Sequence, residues 1–298
     1  MFSNETAPNE TALTEPALTE PAPTETARHG RVLVGFDGSE PALHALDRAV
    51  DDAVRRGEAE LEILCGRPWG RNPVPGAAYT AARAALDRAV ARVTARAPGL
   101  SVTPTLTAEP AAPALVRAGR AAALTVTGTR GRGGFAGLLL GSVAQRVAAH
   151  SRGPLLVVRD VPRRERGVVL VGLRSDADME ALRFGFEEAA RRTADLWVVH
   201  ARQHPDSPWD DVRLPTEPAE AVPERAAAAL RAVYPDVEVG TAAVRPEAGT
   251  ALTEASRQAD VVVLAAHRRQ CPFGLQLGPV THALLRHAHC PVALVPVP

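Results

Sequence analysis

From Arg31 onward, short runs of β-branched and aliphatic residues alternate with longer Ala- and Arg-rich stretches whose apolar positions recur every three or four residues. Runs of the first kind suit strands buried on both faces, and stretches of the second kind suit amphipathic helices laid over them. The pattern predicts strands near 31–36, 60–65, 101–107, 124–128 and 154–158, and helices near 40–56, 77–97, 111–120 and 141–150. Strands that alternate with helices join into a parallel sheet, because a parallel connection needs a crossover.

The pattern then repeats. Val32-Leu33-Val34-Gly35 returns 137 residues later as Val169-Leu170-Val171-Gly172, and at the same offset Gly141 falls on Gly278, His150 on His287 and Pro154 on Pro291. An offset kept from first strand to last is a tandem duplication. The expected fold is α/β: two doubly wound units at 30–160 and 166–298, each a five-stranded parallel sheet of order 3-2-1-4-5 flanked by helices. A short charged link near 159–166 with Pro162 should set them side by side. Their last strands, 155–158 and 292–295, are apolar edges that invite pairing with each other, an intramolecular pseudo-dimer. Residues 4–28 instead repeat with a period of five (NETAP, NETAL, TEPAL, TEPAP, TETAR), which matches neither helix nor strand. Residues 1–29 therefore read as a disordered Pro/Thr/Glu-rich tail.

Composition narrows the chemistry. All 34 basic residues are Arg, so a P-loop lysine and a Schiff-base lysine are both excluded. The net charge is zero, with about +4 left once the acidic first 30 residues are set apart, too little to argue for nucleic acid as a partner. Three scattered cysteines without a CxxC, no apolar run of roughly 18 residues and no signal-peptide pattern point to a cytoplasmic protein without a membrane partner.

A doubly wound sheet binds ligands outside the carboxyl ends of its strands, where strand order reverses. At the end of the first strand stand Asp37-Gly38-Ser39-Glu40, with Ser39 placed to cap the next helix. Asp37 suits either a hydrogen bond to a ribose or base, help in holding a metal on phosphates, or the capping of that helix. The fourth strand leads through Thr127 into Gly128, Arg130, Gly131 and Arg132, and then Gly141-Ser142 opens a helix. Gly128 should let a ligand approach closely, and Gly131 should permit a positive φ. The Gly141-Ser142 pair offers free backbone N–H groups and a hydroxyl to an anion.

The spacing G-x2-G-x9-G-S, the V-G-F-D-G-S-E-P-A run and the H-x3-P-L-L-V-V ending resemble the universal stress protein family in its tandem form, over residues 31–298. The resemblance implies a nucleotide-binding fold for ATP, with Mg2+ as a companion ion, and a nucleotide-dependent switch in stress response. It carries Asp37 to the adenosine end, Gly128 and Gly131 to the phosphate loop, and Gly141 with Ser142 to the phosphates. Thr127 and Val143 flank these as backbone contacts, and Arg130 and Arg132 could pair with phosphate. An enzyme, at most a slow ATPase or a nucleotidyl or phosphoryl transferase, is the alternative. No catalytic residue beyond Asp37 suggests itself. A nucleotide-free interaction module is a third reading, and a homodimer stays open.

At the 137-residue offset Asp37 becomes Arg174, Gly128 Ala265, Gly131 Arg268 and Ser142 Pro279, and Gly278 alone is kept. The second unit should keep the fold and lose the site; a new anion pocket on Arg174 and Arg268 is the opposing view. His267, Cys271, His282, His287, His289 and Cys290 fit no common zinc spacing, so no metal centre is expected. The adjacent pairs Asp51-Asp52, Glu187-Glu188 and Asp210-Asp211 read as solvated surface.

Overall fold

A computed structural model describes residues 30–58, 60–66, 76–131, 140–159, 165–201, 221–244, 248–271 and 274–297. The first unit runs β1 (Arg31–Gly35), α1 (Glu40–Arg56), β2 (Glu60–Gly66), α2 (Ala77–Arg96), β3 (Ser101–Thr107), α3 (Ala111–Ala118), β4 (Leu124–Gly128), α4 (Ser142–His150) and β5 (Leu155–Val158). The second runs β6 (Val168–Leu173), α5 (Met179–Arg192), β7 (Asp195–Ala201), α6 (Ala221–Arg231), β8 (Val239–Val244), α7 (Ala248–Ala255) and β9 (Val261–Ala266). It continues through β10 (Arg268–Cys271), β11 (Gly274–Leu277), α8 (Pro279–His287) and β12 (Val292–Pro296). The tail lies outside the described residues, as do 160–164 of the link and the Asp210-Asp211 pair.

Local signals explain these bounds. In α1 the Ser39 side chain accepts from the Ala42 N–H, Pro41 occupies the first turn, Arg55 and Arg56 sit in the last, and Gly57 closes the helix at φ 67°. The helix buries Ala42, Ala45, Leu46, Ala49, Val50 and Ala53, the three-and-four spacing of one face.

Each unit has the strand order 3-2-1-4-5, and the two form one ten-stranded sheet, β3-β2-β1-β4-β5-β12-β9-β6-β7-β8. Alternation along β1 sends Val32 and Val34 to one face and Leu33 to the other. Under α1, α2, α5 and α6 one core runs across both units, and under α3, α4, α7 and α8 a second does the same. The seam is the pairing of the two last strands: β5 and β12 run antiparallel, with Val157 opposite Val292, Leu156 opposite Ala293 and Leu155 opposite Leu294. Both apolar edges are thereby removed from water, as their sequence invites.

The acidic pairs correct the sequence reading. Asp51 and Glu187 do sit at the surface with Arg96 and Arg191, but Asp52 and Glu188 are buried, 2% and 4% exposed, where α1 meets α5. Arg192 reaches both carboxylates, Arg56 pairs with Glu188, and Arg48 Nε bonds Asp52 at 3.0 Å. Arg56 also lies over the Phe184 ring, 5.3 Å from its centre. Burial alone would raise the Asp52 carboxyl, but Arg48, Arg192 and Arg56 outweigh it and hold it below the usual range. Arg192 is raised despite its own burial, by Asp52 and Glu188.

Candidate functional site

Parallel strands end together, and in the first unit the ends of β1, β2 and β4 meet the starts of α3 and α4 around a cavity of about 440 Å³. That volume lies within the range of small-molecule sites. The residues singled out from sequence come together here: Asp37, Thr127, Gly128, Arg130, Gly131, Gly141, Ser142 and Val143 all line it. Arg132 lies outside the described residues.

Asp37 ends β1 in a turn of its own making. Its Oδ1 accepts from the Ser39 N–H at 3.0 Å and the Ser39 hydroxyl at 2.6 Å, while Ser39 caps α1. Ser39 takes the cap, so Asp37 lines the cavity and orients Ser39 rather than capping α1 itself. Its other oxygen, Oδ2, lies where a Cβ on Gly131 would fall.

That contact overturns the expected reason for Gly131. Among the described residues the positive-φ glycines are Gly30, Gly38, Gly57 and Gly167; at Gly131 a side chain would instead press on the Asp37 carboxylate. Gly128 also has another reason, since a Cβ there would stand 2.9 Å from the Pro41 carbonyl oxygen, so bare backbone is what lets β4 meet the start of α1. At Gly141 a Cβ would come within 3.3 Å of the Thr129 carbonyl oxygen, which already accepts the Gly141 N–H at 2.7 Å.

The two helix starts on this crevice differ. α1 is closed by Ser39, whereas at α4 the N-cap Gly141 has no side chain to offer, and Ser142, Val143 and Ala144 follow directly on the cavity wall. The first N–H groups of a helix lack partners within it, and the dipole adds positive charge there. Beside them the Thr127 hydroxyl is buried with no hydrogen-bond partner among the described residues. The opposite wall is apolar: Phe36, Leu64, Ala111 and Leu115. Phe36 stands inside the V-G-F-D-G run at the end of β1, whereas Leu64, Ala111 and Leu115 come from β2 and α3, with no local motif to mark them.

The equivalent crevice of the second unit is filled by its own chain. Only about 60 Å³ remains. The Asp178 carboxylate accepts the N–H of Arg174 at 2.5 Å and of Ser175 at 3.3 Å, and bonds His267 Nε2 at 2.5 Å across the opening. Burial would raise Asp178, but these hydrogen bonds from His267 and the backbone hold it low. His200, buried below, bonds the Arg174 carbonyl at 3.2 Å. Where the first unit has its glycine loop, the second has the β10–β11 hairpin, so a positive φ is not what separates Arg268 from Gly131. The Arg268 side chain lies outside the described residues. Among the described residues no helix is long and apolar enough to cross a membrane.

Comparison with known proteins agrees with this architecture. The profile of the universal stress protein family matches residues 29–159 and again 165–296. A universal stress protein of Mycobacterium tuberculosis is 30% identical over 281 residues, covering 88% of this chain and 94% of that one. Others from Mycobacterium bovis and M. tuberculosis are 33% identical over 199 residues, and the matched part spans 62% of their length. A universal stress protein from Archaeoglobus fulgidus shares the fold with a TM-score of 0.66 at 16% identity, over 89% of this chain and 98% of that one.

Proposed function

The chain belongs to the universal stress protein family, and from that premise we propose that its first unit binds one ATP in the β1–β4 crevice and serves as a nucleotide-dependent switch, while the second unit stays empty. The observation that carries this is the contrast between two crevices of one fold, one open at about 440 Å³ beneath an uncapped helix start, the other closed to about 60 Å³ by Asp178 and His267.

Each wall then has a task. The N–H groups that open α4 and the Ser142 hydroxyl donate to phosphate oxygens, with Arg130 at the rim adding charge. Asp37 accepts from the ribose hydroxyls, and its hold on Ser39 fixes its direction beforehand. Leu64, Ala111 and Leu115 receive the base. Thr127 supplies a buried hydroxyl that a ligand atom could satisfy. Asp37 is the one carboxylate on the wall among the described residues, so a Mg2+ companion would be held mainly by phosphate oxygens, and no general base is placed for hydrolysis. This favours a switch over a rapid ATPase.

Calorimetric titration of the full chain with ATP tests the reading. We expect a stoichiometry near one, lost in Asp37→Arg, which copies the second unit. A stoichiometry near two, or binding that survives that change, would refute it.

A further inference from the structure

A second cavity, of about 240 Å³, lies at the seam and is built by both units. One side is the half-buried face of α1, with His44, Arg48, Asp51 and Arg55 at four- and three-residue spacing, and Arg159 follows β5. The other side is the second unit's approach to β9 and β12, through Asp260 and His289. It shares no lining residue with the β1–β4 crevice.

Its acids are already engaged. Asp47 holds Arg92 through two bonds of 2.6 and 2.7 Å, Asp51 holds Arg96 at 2.7 Å, and Glu165 pairs with Arg55. Asp260 accepts three backbone N–H groups, from Arg166, Gly167 and Val168, at 2.7 to 3.2 Å. The unmet capacity lies with nitrogens. Arg48 spends Nε on Asp52 but its Nη2 has no partner among the described residues, and neither has His44 Nδ1. A buried donor left unsatisfied is costly, and an incoming acceptor recovers that cost.

We propose that this seam cavity is a second ligand site, taking a small organic oxyanion such as a polycarboxylate or a phosphate monoester. Such a ligand would touch both units at once, and neither unit alone could bind it.

Histidine ring-proton signals of the full chain report on it, with that of His44 assigned by loss in His44→Gln. At constant ionic strength, citrate and inorganic phosphate are titrated, with chloride as the control. The expected result is a saturable shift of the His44 signal with at least one of the two oxyanions and none with chloride; the tighter of them tells carboxylate from phosphate chemistry. Binding should weaken at least tenfold in Arg48→Gln. Because Arg48 and Arg55 both also pair with buried Asp52, Arg159→Gln provides a second variant, expected to weaken binding while leaving Asp52 and its partners in place. A shift that follows ionic strength alone, or affinity unchanged in both variants, would overturn the proposal.

Discussion

Ser142 and Gly128 sit on the same cavity and should fail differently when changed. Ser142→Ala removes one hydroxyl from an exposed helix start, so ATP affinity should fall by about 0.5–1.5 kcal/mol, or somewhat more if the lost bond is to charged phosphate, with no change in melting temperature. Gly128→Val drives a branched side chain into the Pro41 carbonyl, so lost binding should come with a lowered melting temperature, read by calorimetry and thermal denaturation together. Gly131→Ala lies between these: it pushes on the movable Asp37 carboxylate, and should impair binding while leaving the fold. The glycines were legible in the sequence as a spacing, but their reasons were not. What a Cβ at Gly131 would displace is a carboxylate 94 residues earlier, and what forbids one at Gly128 is a backbone carbonyl on another element. A local pattern contains neither.

Among elements, α1 shows how far a one-dimensional pattern reaches. Its Ser39 cap and its extent appear where the sequence puts them, and its apolar face and closing Gly57 rest on neighbours just as local. That Asp52 would be buried could not be read there, since an outward-facing carboxylate and one pressed against a second unit's helix have the same neighbours in sequence. The β10–β11 hairpin was missed for a related reason, as the offset of the duplication led to a loop at that place. The α1–α5 junction yields a stability test. Glu188→Ala leaves buried Arg56 without its carboxylate and Arg192 with Asp52 alone, and should cost about 3–5 kcal/mol, whereas adjacent Glu187→Ala, at the surface, should stay within about 0.5 kcal/mol. Denaturant unfolding separates the two. The pH dependence follows from Asp52. Its folded pKa is depressed, so its stabilisation is complete above the unfolded value, about 3.9, and is lost as pH falls through the lower folded value. Asp52→Asn should lower stability at neutral pH and flatten its decline below about pH 4, followed by urea unfolding at several pH values.

For the whole molecule, the fold class and the duplication were legible because each rests on periodicity, which survives substitution at single sites, whereas the strand order goes with the family resemblance and is not contained in any period. The sheet begins at Arg31, and residues 1–29 offer little apolar surface to offset ordering entropy of about 1–2 kcal/mol per residue. Brief proteolysis should trim the chain to near that residue, and the trimmed protein should melt at the same temperature as the intact one. The antiparallel register of β5 on β12 has a further consequence. Strands of the two units point in opposite directions along one sheet, so their carboxyl ends, and with them the two crevices, open at opposite poles of the molecule. A nucleotide held at one pole cannot be touched by anything seated at the other. Any message between them has to cross the seam, through the three-residue ladder of β5 on β12 or through the ion pairs that join α1 to α5.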